Sequence, residues 1–158
     1  MTKKLAHVPS ARMPRVRMLL VDDNKDDYVL ACHLFHSYNI DSSIITLETA
    51  VDDVSLDVST GIPCGLIISE LVSNALKHAF PAGERGIIRV VLRADDDRLV
   101  LTVGDDGVGL PQDLDWRNTE SLGLQLANML TGQLEGTIEM DRSNGTAFTI
   151  TFPSKGDT

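Results

Sequence analysis

Four polar side chains that could take part in chemistry recur at helical spacing in a mainly apolar segment, Leu66 to Phe80. They are Glu70, Asn74, Lys77 and His78. Because positions three, four, seven and eight residues apart share one face of a helix, the four are expected on one polar stripe. An acid, an amide oxygen, a cation and an imidazole can together orient a hydroxyl group, ligate a metal ion and hold phosphate oxygens. A solvated helix face has a similar pattern, so the stripe alone leaves both interpretations open.

A glycine-rich segment, Val103 to Pro111, directly follows a predicted strand. Asp105 at the strand end can accept a hydrogen bond from an amino group such as that of adenine. Gly107 and Gly109 permit a positive φ or a close approach of the backbone to a ligand. The segment has neither the Gly-Lys-Ser/Thr ending of a Walker A loop nor the Gly-x-Gly-x-x-Gly fingerprint. Taken alone, its glycines fit a hairpin or bulge equally well.

Gly123 and Thr146 indicate a site only when they are considered together with the two segments above. Gly123 lies at the predicted start of a helix, where free N–H groups form an anion site and glycine lets a phosphate approach. A glycine chosen for packing is the simpler alternative. Thr146 opens a predicted strand, and its hydroxyl can join a polar network with Asp105.

The elements that must position these side chains follow from hydrophobic periodicity. Helices are predicted at Lys25 to Tyr38, about Ile62 to Phe80 and Leu122 to Leu130. Strands are predicted at Ile44 to Thr49, Val54 to Val58, Ile87 to Ala94, Arg98 to Val103, Gln133 to Met140 and Thr146 to Phe152. Short polar links between neighbouring strands predict hairpins, and hence one layer of helices on a mainly antiparallel sheet.

The helix at about Ile62 to Phe80 has the clearest start and stop signals in the sequence. Ser59 or Thr60 can cap its start, Pro63 is tolerated in a first turn, and the sequence Pro-Ala-Gly from Pro81 closes it.

Bulk composition describes a globular protein. The chain has 158 residues, of which 42% are hydrophobic and 23% charged, enough for one ordinary domain and a tail. A net charge of −9 argues against a nucleic-acid or membrane-surface binder, because those proteins rely on Lys and Arg. No apolar run approaches the roughly 20 residues that span a bilayer. Cys32 and Cys64 lack metal-ligand spacing and are expected to be buried thiols of a reducing compartment rather than a disulfide, which fits the expected cytoplasmic location.

In their order along the chain, four segments resemble the ATP-binding catalytic domain of sensor histidine kinases. "ELVSNALKHAF" resembles the N box, "GDDGVGLP" the first glycine box, "SLGLQLA" the second, and "GTAFTITFP" the final strand. This resemblance covers about His33 to Pro153 and implies the Bergerat fold shared with gyrase, Hsp90 and MutL. That fold is α+β, a two-layer α/β sandwich whose mainly antiparallel mixed sheet is covered on one face by helices. His78 and the short segment between the glycine boxes resemble a subclass close to the HWE kinases. The Trp-x-Glu element of true HWE kinases is absent, so the chain is placed beside that group rather than in it.

The resemblance also implies roles on the helix. Asn74 would be the Mg²⁺ ligand, and Glu70 would be the base that polarises the attacking imidazole. Lys77 and His78 would contact phosphate oxygens. Catalysis would consist mainly of positioning the transferred γ-phosphoryl group and neutralising its charge.

The resemblance also implies roles for residues of the two glycine boxes and the final strand. Asp105 would bind the adenine amino group with support from Thr146, and Gly107 and Gly109 would shape the nucleotide pocket. Two more residues would border the triphosphate below a lid at 112–121, namely Gly123 and Leu124. The implied cofactors are ATP and Mg²⁺.

A histidine kinase also needs a dimerisation domain that bears the phosphoacceptor histidine, and the chain has room for only the end of one. His33 and His36 match the close of the second helix of such a domain, whereas the acceptor belongs on the first. We therefore expect ATP binding without self-phosphorylation. The expected partners are a separate histidine-bearing dimerisation domain and a response-regulator receiver, and a homodimer is a candidate assembly.

The N-terminal part carries a second resemblance. "MLLVDDNKDDYVL", from Met18 to Leu30, resembles the first strand, acid pair and first-helix start of a response-regulator receiver. The domain boundaries expected are a basic, disordered tail at 1–16, a receiver-like fragment at 17–40 that runs into the end of a dimerisation helix, and the ATP-binding domain at 41–154. A whole receiver is not expected, because it needs alternating parallel βα units where this chain predicts antiparallel hairpins.

Two other functions remain open on the sequence. One is a stand-alone serine kinase of the same superfamily, similar to those that phosphorylate an anti-sigma antagonist. The other is a nucleotide-binding or interaction module that has lost catalysis. Phosphotransfer to a supplied histidine domain, or the finding of a serine substrate, would separate these possibilities.

Overall fold

A computed structural model describes residues 45–52, 54 and 56–154. In this part of the chain the strands are β1 (Ile45–Val51), β2 (Gly86–Asp95), β3 (Arg98–Asp105), β4 (Thr137–Asp141) and β5 (Thr146–Pro153). The helices are α1 (Val58–His78) and α2 (Leu122–Gln133). Several predicted features lie outside the described residues: the helix at Lys25 to Tyr38, Cys32, His33, His36, the receiver-like fragment and the basic tail.

The strands form one five-stranded sheet in the order β1-β2-β3-β5-β4. β1 pairs with β2 in parallel, and the other pairs are antiparallel. Buried and more exposed residues alternate along β2, β3 and β5, so one face of the sheet is covered. The predicted α+β fold, with a mainly antiparallel mixed sheet and helices on one face, is confirmed.

The hydrophobic core lies between that face and the helices. Ile67 of α1 is 0% exposed and belongs to the same buried cluster as Leu101 of β3 and Ile150 of β5. The α1 and α2 helices also contact each other. Within the described residues, neither helix is long and apolar enough to cross a bilayer.

The start of α1 differs from the prediction. Asp57 is the N-cap, and its Oδ1 accepts a hydrogen bond from the N–H of Thr60 at 2.8 Å, so neither Ser59 nor Thr60 is the capping residue. The helix begins at Val58, and the strand predicted at Val54 to Val58 is wrong. The Asp57 cap and the buried helical face outweigh the β-branched residues that suggested a strand.

Pro63 consequently lies beyond the first turn of α1. It costs the helix the N–H that would otherwise bond the carbonyl of Ser59. Ser59 itself is an exposed residue in the first turn.

The boundary between α2 and β4 also differs. Gln133 is the last residue of α2, and β4 begins only at Thr137, so the strand predicted from Gln133 starts four residues too early. The buried side of the helix continues through Leu130 to Leu134. The chain then turns through Glu135, which has a φ of 57°. Burial of Leu134 with the helix decides the boundary.

Candidate active site

A cavity of about 400 Å³ lies between α1, the ends of β3 and β5, and the segment that leads into α2. This volume is within the range of small-molecule sites in proteins, roughly 300–1,000 Å³. Its walls are largely apolar, with Leu71, Ala75, Val103 and Phe148 among them. Polar groups approach it from α1 and from the strand ends.

Most of the residues predicted as a site lie together around this cavity. Those that line it are Asn74, His78, Asp105, Gly109, Leu124 and Thr146. The others are not part of its wall, namely Glu70, Lys77, Gly107 and Gly123. The predicted polar stripe is therefore split, with Asn74 and His78 at the cavity and the exposed side chain of Lys77 outside its wall.

Asp105 supplies the buried carboxylate of the cavity. It is 9% exposed at the end of β3, and its Oδ1 accepts a hydrogen bond from the N–H of Gly107 at 2.9 Å. Burial raises the pKa of this carboxyl group, the N–H groups of Gly107 and Thr146 lower it, and the charge of Asp106 raises it further. One carboxylate oxygen thus fixes the loop while the side chain faces the cavity.

The antiparallel register of β3 and β5 brings Asp105 opposite Thr146. The Thr146 hydroxyl accepts a hydrogen bond from the N–H of Leu110 at 3.1 Å. Leu110 and Thr146 both line the cavity, so this hydroxyl positions the glycine-rich segment. The N–H of Thr146 stabilises the Asp105 carboxylate by a hydrogen bond.

Close backbone packing explains the glycines of the segment. A side chain at Gly107 would overlap the carbonyl of Ala79 at the end of α1, where the N–H of Val108 bonds the same oxygen at 2.9 Å. Gly109 has a φ of 76°, a conformation that other residues rarely adopt. The two glycines therefore allow the backbone course of the segment that borders the cavity.

Gly145 does not line the cavity but packs on the backbone of Asp105, a supporting role that was missed in the sequence. It has a φ of 77°, and a Cβ there would overlap the carbonyl of Asp105. This close approach places the turn between β4 and β5 directly on the end of β3. The pair Asn144 and Gly145, within a predicted turn, was the available signal.

Glu70 lies beside the cavity at the contact between the helices. A Cβ at Gly123 would lie 2.6 Å from Glu70 Oε2 and 3.6 Å from Asn74 Oδ1. A side chain at Gly123 would displace the end of the Glu70 side chain, so the glycine leaves room for the Glu70 carboxylate at the first turn of α2. Glu70 and Asn74, one turn apart on α1, therefore meet the N-terminal end of α2.

That end of α2 is suited to an anion. Ser121 is the N-cap and makes no side-chain capping hydrogen bond, and the first turn holds no acidic residue. Ser121 and Leu124 both line the cavity. Backbone N–H groups and the helix dipole favour negative charge at such a position.

The described residues contain no group of three or more His, Cys, Asp or Glu side chains that could hold a metal ion. An ion at this site would depend on Asn74 and Glu70 together with oxygens of a ligand. Mg²⁺ is commonly held in this way, by few protein groups together with phosphate oxygens and water.

Comparisons with known proteins identify the family of this chain. The model of the family described as histidine kinase-, DNA gyrase B- and HSP90-like ATPase matches residues 44–156. The chain is 34% identical over 113 residues to Blue-light-activated histidine kinase 2 of Erythrobacter litoralis, covering 69% of this chain and 32% of that protein. It is 37% identical over 92 residues to the sensor histidine kinase PdtaS of Mycobacterium tuberculosis, covering 56% of this chain and 18% of that protein. The chain thus spans about a third or less of these curated relatives.

Solved structures show the same fold. The histidine kinase domain of the Erythrobacter litoralis blue-light activated kinase EL346 superposes with a TM-score of 0.72 at 30% identity, over 81% of this chain and 59% of that chain. The catalytic domain of the histidine kinase ThkA superposes with a TM-score of 0.60 at 22% identity, over 82% of this chain and 89% of that chain. From the family match and this fold, we conclude that the chain belongs to the histidine kinase-, DNA gyrase B- and HSP90-like ATPases.

Proposed function

We propose that this chain binds ATP with Mg²⁺ in the described cavity and acts as the catalytic part of a two-component histidine kinase. It would transfer the γ-phosphoryl group to a histidine on a dimerisation domain. The observation that carries the proposal is the arrangement of Asp105 and Asn74 around one cavity, with Asp105 buried at the strand ends and Asn74 on α1. The names of the similar kinases support the reaction type.

Asp105 and its neighbours would bind the nucleoside. The buried carboxylate accepts hydrogen bonds and so selects an amino group, as in adenine, over a carbonyl at that position. Thr146 and Gly109 keep the adjoining backbone in place, and the apolar wall that includes Phe148 suits a flat heterocycle.

The other end of the cavity would hold the phosphates. The oxygen of Asn74 is suited to Mg²⁺, which neutralises phosphate charge when bound. His78 lines the cavity and can contact a phosphate oxygen, whereas Lys77 must extend inward from outside the wall to do so. The first turn of α2, at Gly123 and Leu124, would place N–H groups near the same oxygens.

Glu70 would be the base. Its carboxylate lies at the edge of the cavity, beside Asn74 and against Gly123. From there it can accept a hydrogen bond from the imidazole N–H of an incoming histidine, which makes the other ring nitrogen a better nucleophile. Gly123 leaves the space that this carboxylate occupies.

The partners we propose are a histidine-bearing dimerisation domain and a response-regulator receiver. The assignment to a subclass close to the HWE kinases, based on His78 and the short segment between the glycine boxes, belongs to the same proposal. So do the domain boundaries at 1–16, 17–40 and 41–154.

Isothermal titration calorimetry with Mg²⁺ and a non-hydrolysable ATP analogue tests nucleotide binding. Asn74→Ala and Asp105→Ala should each weaken binding at least tenfold, as expected when a ligand loses a charge-assisted contact. Asp95→Ala, an exposed acid at the far end of β2, is the matched control and should bind like wild type. Wild-type affinity in both site variants would refute the assignment.

Phosphotransfer is measured separately. The chain, incubated with labelled ATP and a supplied histidine-bearing dimerisation domain, should produce acid-labile, base-stable phosphate on that domain and none on itself. Glu70→Gln should slow the transfer while leaving nucleotide affinity near wild type. Base-labile, acid-stable phosphate on a serine of another protein would instead identify a serine kinase.

A further inference from the structure

The segment at 111–121 that borders the cavity is attached to the turn between β4 and β5 by one arginine. Arg142 Nη1 donates a hydrogen bond to the carbonyl of Pro111 at 2.6 Å, and Nη2 donates to the carbonyl of Leu114 at 2.7 Å. Pro111 and Leu114 both line the cavity. One guanidinium group therefore holds two points of the cavity wall.

The same segment is held at a third point by an aromatic side chain. Trp116 is 6% exposed and meets Phe148 edge-on, with ring centroids 5.4 Å apart and planes at 76°. Arg117 lies 4.5 Å over the Trp116 ring and donates a hydrogen bond to the carbonyl of Ile138 in β4 at 3.2 Å. Because Phe148 lines the cavity, the position of the segment is coupled to the wall of the pocket.

We propose that Arg142 is a positioning residue for nucleotide binding, which keeps the segment at 111–121 in the arrangement that completes the cavity. This inference rests on the proposed function. Arg142 touches neither the expected nucleotide nor the reacting atoms, and it lies outside the four segments that carried the sequence resemblance. It acts through the backbone of Pro111 and Leu114.

The chemistry of arginine suits this task. Its planar fork offers two N–H groups with a fixed separation, so it constrains two carbonyls relative to each other as well as to the turn. The turn itself is fixed, because Gly145 packs on the carbonyl of Asp105. Arg142 thus ties the segment over the cavity to the same strand end that carries the expected adenine-binding carboxylate.

Removal of Arg142 should leave the segment in several arrangements, of which only some complete the site. The apparent Kd of a ligand rises in inverse proportion to the competent fraction. A competent fraction near one tenth would therefore weaken nucleotide binding about tenfold.

Trp116 is the one tryptophan of the chain, so its fluorescence reports on this segment directly. Two measurements are made on the full chain: acrylamide quenching of Trp116 without nucleotide, and calorimetric binding of an ATP analogue with Mg²⁺. The variants are Arg142→Ala, Arg142→Lys and the control Arg98→Ala, an exposed arginine at the end of β3 opposite to Asp105. Far-UV circular dichroism and thermal unfolding show whether each variant is folded.

For Arg142→Ala we expect a folded protein, stronger quenching of Trp116 and about tenfold weaker binding. Arg142→Lys keeps the charge but loses the bidentate contact, so its Trp116 quenching and its nucleotide affinity should lie between those of Arg142→Ala and wild type. Arg98→Ala should match wild type in both measurements. If Arg142→Ala does not fold, Arg142→Lys decides the question by the same criteria.

Wild-type quenching and wild-type affinity in the folded Arg142 variants would overturn the proposal. Stronger quenching with unchanged affinity would also overturn it, because the segment would then have moved without consequence for the ligand. If the wild-type chain binds no ATP analogue at all, the proposed function fails. The quenching result would then still show whether Arg142 holds the segment.

Discussion

The replacement Asp105→Asn tests the chemistry of the cavity more sharply than a truncation does. In the structure, Asp105 Oδ1 accepts the N–H of Gly107 at 2.9 Å. The asparagine oxygen should keep that bond, because only the oxygen can accept it. The amide nitrogen then takes the place of the second carboxylate oxygen, so a donor replaces the acceptor that we assign to the adenine amino group.

The expected loss of affinity for an ATP analogue follows from this exchange of an acceptor for a donor. A buried hydrogen bond to a charged group contributes about 1.5–3 kcal/mol, and Asp105 is only 9% exposed, so little of this is lost to solvent screening. The Kd for an ATP analogue should therefore rise on the order of 10- to 100-fold. A GTP analogue carries a carbonyl in place of the amino group, so its affinity should fall less or improve.

Paired calorimetric titrations of ATP and GTP analogues with Mg²⁺ measure both effects. The reasoning is refuted if Asp105→Asn keeps its wild-type preference for the ATP analogue. A parallel loss for both nucleotides would also refute it, because a disturbed loop rather than a reversed hydrogen bond would then be responsible.

The same variant makes a prediction about stability and pH. Burial raises the pKa of Asp105 in the folded protein, so between its ordinary value and this raised value the folded state binds more protons than the unfolded state. The free energy of unfolding of the wild type therefore falls as pH rises through this interval. Asp105→Asn has no titrating group at this position, so its free energy of unfolding relative to wild type should increase with pH and then level off. Urea unfolding at a series of pH values measures the difference, and a constant difference would contradict the raised pKa.

Three further predictions concern the fold. Ile67→Ala should lower the free energy of unfolding by about 2–5 kcal/mol, whereas Ile62→Ala, at a position 56% exposed, should change it by less than about 0.5 kcal/mol in urea titrations. Gly145→Ala should destabilise the protein by about 1–3 kcal/mol and weaken nucleotide binding, because of its positive φ and its contact with the Asp105 backbone. Burial raises the pKa of Cys64 to about 12, so in a Cys32→Ser background a thiol reagent at neutral pH should label Cys64 only after unfolding.

Local patterns were sufficient for most of the fold. The apolar face of α1, the hairpin of β2 and β3 and the hairpin of β4 and β5 follow from side-chain period and polar turns. The predictions that were wrong concern the ends of elements, where a local cap or the burial of one side chain opposed the propensity of neighbouring residues. The strand at Val54 to Val58 is absent because Asp57 caps a helix at that point, and β4 starts late because Leu134 is buried with α2.

The segments that bear the candidate chemistry could be identified from the sequence, because a carboxylate at a strand end and polar residues at helical spacing are local properties. Their arrangement around one cavity depends on tertiary packing. The rotation of α1 on the sheet turns Asn74 and His78 to the cavity and leaves Lys77 outside its wall. The contacts of Gly145 with Asp105 and of Arg142 with Pro111 join residues far apart in the chain. Helix rotation and strand register depend on packing across the whole core, so no local pattern could reveal these contacts.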